Sequence, residues 1–160
     1  MKSELTLEIL GAYLPWKVQG ISNHGTVFDL DLFNSMGGGV QKRDAYSFLN
    51  GQFKLLLRPM EDLTKPLPEL EGKSTMEAIC DKLNNLGYSW PKVKLEADFE
   101  VNEPGIYLHN YGNSIQVQCV PDYYMIPLEA FEAIRSLLLS LHFDIYGGIE
   151  SGWALNVNEI

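Results

Sequence analysis

Ile126-Pro127-Leu128-Glu129-Ala130-Phe131-Glu132-Ala133-Ile134-Arg135-Ser136-Leu137-Leu138-Leu139-Ser140-Leu141-His142 holds the longest helical pattern in the chain, inside a stretch that runs from Tyr124 to Ile160. Proline suits the first helical position, where its missing N–H would have no partner anyway. Glu129 and Glu132 place negative charge at the positive end of the helix dipole. Leu128, Phe131, Arg135, Leu138 and His142 follow one line at three-to-four-residue spacing, and Ile134, Leu137 and Leu141 widen it. A helix this apolar is expected to be covered on more than one side. Phe143, Ile145, a Gly147-Gly148 break and the alternating run Trp153-Ala154-Leu155-Asn156-Val157 follow. The stretch therefore reads as a buried helix feeding a terminal strand, with the rest of the chain packed against both.

Upstream, Leu5 to Leu14 fits a short helix ended by Pro15, although Leu5-Thr6-Leu7-Glu8-Ile9 also alternates like a strand. Lys17 to Gln19 and Thr26 to Phe33 have period two around the turn cluster Asn23-His24-Gly25, which reads as a hairpin. A second hairpin is expected where Asn50-Gly51 separates Tyr46-Ser47-Phe48-Leu49 from Phe53 to Leu57, since Asn-Gly favours a type I′ turn. Gly105 to Asn110 and Ser114 to Val120 form a third around Tyr111-Gly112-Asn113. Arg58-Pro59 stops the strand before it, and Met60 to Gly72 reads as an acidic loop. Lys92 to Phe99 fits a further strand. Ser74-Thr75-Met76-Glu77 is a capping box that starts a helix whose stripe is Met76, Ile79, Cys80, Leu83 and Leu86, with Gly87 as its stop. The sum is one α+β domain over residues 1–160: an antiparallel sheet built from hairpins, with two or three helices on it.

The chain has 160 residues and a net charge of −9, from 21 acidic and 12 basic side chains. That balance argues against direct nucleic-acid binding, which needs Lys/Arg clusters. No stretch approaches the ~20 apolar residues of a membrane span, and Met1 to Leu5 lacks a signal-peptide pattern. A cytoplasmic protein is expected, with Cys80 and Cys119 as reduced core residues.

Three stretches look familiar together: Ala12-Tyr13-Leu14-Pro15 with Lys17-Val18; Leu57 to Lys65, containing Arg58-Pro59-Met60-Glu61-Asp62; and Leu141 to Ala154. In them the chain resembles a family of small uncharacterised proteins carried by phages and mobile elements of gut bacteria. The resemblance implies a cytoplasmic protein acting in an infected or element-bearing cell. It implies no activity, cofactor or binding residue.

Several residues invite a chemical reading. His142 and Asp144 flank Phe143 and would suit a general base with its orienting carboxylate. A histidine at a helix C-terminus equally serves the dipole. Arg58 ends an apolar strand; it would pair with Glu61, Asp62 or Asp144, or, facing a cleft, anchor an anion. His24, His109 and His142 are too scattered for a metal site. Gly37-Gly38-Gly39 lacks the phosphate-loop pattern, and no nucleophile motif is present. No catalytic, metal or cofactor residues are therefore assigned. Glu96, Asp98 and Glu100 would project from one strand face at ~7 Å steps, near the phosphate repeat of nucleic acid. With Glu103 they form an acidic stretch that either mimics phosphates or solvates an edge strand. Tyr111, Tyr123 and Tyr124 are candidates for an exposed contact patch.

The expected function is a non-enzymatic module binding a protein partner, either a host factor or a second copy of itself. The alternatives are a small-ligand binder or enzyme using Arg58 with His142 and Asp144, and an acidic phosphate-mimic inhibitor of a nucleic-acid-binding protein.

Overall fold

The computed structural model describes residues 4–30, 42–86, 93–95, 105–110, 115–120 and 128–160. The fold is α+β, and the chain divides into two compact units: Met1–Pro59 with Leu139–Ile160, and Met60–Leu138.

In the first unit, α1 (Leu7–Tyr13) is capped by Thr6, whose hydroxyl accepts from the Ile9 N–H, and a 3-10 turn over Leu14–Trp16 follows. The expected first hairpin is present: β1 (Gln19–Ser22) pairs antiparallel with β2 (Val27–Asp29). The second is not. Residues Lys42–Leu49 are α2, and only then comes β3 (Phe53–Leu57). Burial shows why helix wins. As a strand, Tyr46 and Phe48 would share a face; instead Phe48 is 1% exposed and Tyr46 67%, while Ala45 joins Phe48 at the core, three residues apart. Asn50-Gly51 then ends a helix rather than turning a hairpin. The Asn50 N–H donates to Tyr46 O and the Gly51 N–H to Phe48 O, with Gly51 in the left-handed region at φ 77°. A glycine of positive φ serves either turn, so the dipeptide alone does not choose.

β3 is central, which explains why Leu55, Leu56 and Leu57 are all apolar and buried after Lys54: buried strands need not alternate. β1 lies antiparallel on one side, in the register Gly20↔Leu55. On the other side lies β7 (Ala154–Asn156), in parallel register Leu55↔Ala154. The sheet order is β2-β1-β3-β7, so the sheet is mixed rather than wholly antiparallel as expected. Leu10, Tyr13, Val18, Leu30, Phe48, Leu55, Leu57, Leu139, Trp153 and Ala154 close its core. Phe28, Phe48 and Phe53 form an aromatic cluster with centroids 5.1–6.1 Å apart. Gly20 lies beneath it: a Cβ there would come within 2.8 Å of the Phe48 ring.

In the second unit, Met60–Thr64 and Pro68–Leu70 are 3-10 turns within the expected loop. α3 (Thr75–Asn85) begins with the capping box, as expected. The Ser74 N–H donates to Glu77 Oε2 at 2.7 Å, and the Glu77 N–H donates to Ser74 Oγ at 3.3 Å. Met76, Ile79 and Leu83 are buried; Leu86 is exposed, and Cys80 is partly so. β4 (Val93–Leu95) runs parallel to β5 (Gly105–Asn110), which pairs antiparallel with β6 (Ile115–Val120) in the expected third hairpin.

The Ser74 hydroxyl, and after it the Ser74 backbone N–H, hold the Glu77 carboxyl below its ordinary range. A depressed carboxyl stabilises the fold above its unfolded pKa, and that contribution disappears as pH falls through the folded value. Ser74→Ala is expected to cost about 1 kcal/mol at neutral pH. Urea unfolding at neutral pH and again below the folded pKa of Glu77 checks this. The gap between the two proteins should narrow in acid, and a gap that widens there contradicts the cap.

α4 (Leu128–Ser140) is the helix expected from the C-terminal pattern, and its last two residues belong to the first unit. Its facing differs from the expectation. Leu128 is 75% and Phe131 51% exposed, whereas Ala130, Ile134, Leu138 and Leu139 are buried. The buried line is thus shifted around the helix, and the first turn is open rather than covered. Apolar residues occur on most sides of this helix, so periodicity alone leaves the phase undetermined. α5 (Gly148–Ser151) is a single turn leading into β7. Among the described residues there are five α-helices, against the two or three expected, and α2 and α5 are the ones not read from the sequence.

Candidate functional site

The stretches Ala12–Val18, Leu57–Pro59 and Leu141–Ala154 meet in the first unit. The Arg58 N–H donates to His142 O at 2.8 Å and the Asp144 N–H to Arg58 O at 2.9 Å, a parallel bridge between Arg58 and Phe143. The Arg58 Nε–H donates to Leu141 O at 3.1 Å. From α1, the Tyr13 hydroxyl donates to Phe143 O at 2.8 Å inside the core. The fold therefore brings Arg58, His142 and Asp144 together through their backbones.

Each of their side chains also meets main-chain groups. The α4 chain turns at His142, which takes φ 60°, and the His142 Nε2 lies 2.7 Å from Trp16 O. The Asp144 carboxylate is buried and receives two amides of α5: Gly148 N–H at 2.6 Å on Oδ1 and Ile149 N–H at 2.9 Å on Oδ2. A general-base pair needs the carboxylate on the imidazole and the other ring nitrogen on substrate. Here the carboxylate orients a helix start and the ring meets a main-chain carbonyl. Arg58 is half-buried, with its Nε–H committed to the chain turn after α4. These contacts make a joint between α1, β3 and the end of α4.

Glu96, Asp98, Glu100, Glu103, Tyr111, Tyr123 and Tyr124 lie outside the described residues, as do Gly37 to Gly39. His109 falls in β5 and Cys119 in β6; His24 sits at the β1–β2 turn. Among the described residues, no group of three or more His, Cys, Asp or Glu could hold a metal ion. No helix there is long and apolar enough to cross a membrane. A depression of about 130 Å³ is lined by Ile79, Lys82 and Leu83 from α3 and Ala133, Ile134 and Leu137 from α4. It falls well short of the roughly 300 Å³ at which small-molecule sites begin.

Burial, and after it the Asp81 carboxylate, push the Cys80 thiol up to about 11. The thiolate is the reactive form, so near pH 8 its population is roughly a hundredfold below that of an ordinary thiol. Iodoacetamide should therefore modify Cys80 slowly in the folded protein and quickly in urea. Equal rates, followed by peptide mass spectrometry, contradict this protected placement.

Sequence reasoning missed the open first turn of α4. Leu128 and Phe131 stand three residues apart on it, flanked by the exposed Glu129 and Glu132. Their signal was present as an apolar pair beside two glutamates, but it merged with the apolar residues that follow. No family model, curated protein or solved structure matches the chain.

Proposed function

We propose that this chain is a non-enzymatic protein-interaction module, acting in the cytoplasm of a phage-infected or element-bearing cell and binding a host protein. The observation that supports this reading is the exposed Leu128–Phe131 pair on α4. Large apolar side chains exposed between the glutamates of a helix turn cost solubility unless a partner covers them, and aromatic anchors dominate interface energies. Tyr123 and Tyr124 precede the pair closely in sequence and extend the same aromatic character. The engagement of Arg58, His142 and Asp144 with main-chain groups favours this reading over one in which they act on a ligand.

The test uses the tagged chain as bait in host lysate, beside the double variant Leu128→Glu/Phe131→Glu. The expected result is a partner recovered reproducibly by the wild type and roughly tenfold less by the variant, the scale set by loss of a central anchor. Both positions are exposed, so the variant should keep its unfolding midpoint. Absence of a reproducible partner, or equal recovery by both proteins, overturns the proposal. Light scattering of the bait alone separates a host partner from self-association.

A further inference from the structure

We draw no further inference here: the strongest candidate, the exposed Tyr46 and Leu49 side chains on the outer face of α2, carries nothing because nothing in the structure shows what covers them.

Discussion

Gly148→Ala is expected to lower stability by about 3 kcal/mol, the upper part of the range for overpacking a filled core. A Cβ at this position would stand 2.4 Å from two carbon atoms of the Trp153 indole and 2.6 Å from a third. Van der Waals contact between carbons lies at roughly 3.5–4.0 Å, so ring or backbone must move by about 1 Å. Neither moves freely. Trp153 is buried in the core of the first unit, and its backbone N–H donates to Gly148 O at 3.1 Å. The Gly148 N–H is itself held on Asp144. Gly152→Ala makes the control: it has a positive φ of 86° but nothing within 4 Å of the added carbon. There the cost is conformational alone, roughly 1–2 kcal/mol. Urea unfolding of both variants decides the matter. If Gly148→Ala loses no more than Gly152→Ala, the indole does not press on the glycine. A double-mutant cycle with Trp153→Leu adds a second readout, since a steric cause requires strong coupling between the two positions.

The amino-acid pattern reveals some parts of this fold and withholds others. Signals completed within a few residues were legible. Ser74 and Glu77 announce the start of α3 because the cap closes over one turn. The turn cluster at Asn23-His24-Gly25 announces β1 and β2 because the paired strands are adjacent in sequence. Asn50-Gly51 misled because its local chemistry fits two structures. Only the burial of Phe48 against Phe53 and against Phe28, which comes from β2 upstream, selects the helix.

The parallel pairing of β3 with β7 joins Leu55 to Ala154. No local period encodes a partner a hundred residues away, and a run of hairpins made an antiparallel sheet the natural expectation. Arg58, His142 and Asp144 were legible as chemically able residues but not in their roles. A carboxylate and an imidazole two residues apart look like a catalytic pair until their acceptors and donors are known. Trp16 O comes from a segment distant in sequence, whose approach the sequence does not display. The Gly148 and Ile149 amides lie close behind Asp144, but the Gly147-Gly148 pair reads as a break and hides the helix start. For Leu128 and Phe131 the difficulty was phase, because apolar residues on most sides of a helix allow several inward faces.

Asp144→Ala is expected to cost roughly 3 kcal/mol, and its effect should reach Trp153 through α5. The carboxylate accepts the Gly148 and Ile149 amides at 2.6 and 2.9 Å. Hydrogen bonds to a charged group contribute roughly 1.5–3 kcal/mol each, and a buried N–H left without an acceptor costs about as much. Relaxation and water entry recover part of the sum, since α5 is one turn long and Ile149 is only partly buried. The loss should therefore fall below the simple total. Asp144→Asn separates charge from shape. Its side chain fits the space but offers one acceptor oxygen to two donors and sets an NH₂ group against the other N–H. About half the alanine penalty is expected, with α5 still formed. Chemical denaturation gives the energies, and near-ultraviolet circular dichroism reports the Trp153 environment. If both variants unfold within about 0.5 kcal/mol of the wild type, as ordinary surface changes do, Asp144 is not the anchor of α5. Its engagement would then no longer count against a chemical role for the residues around it.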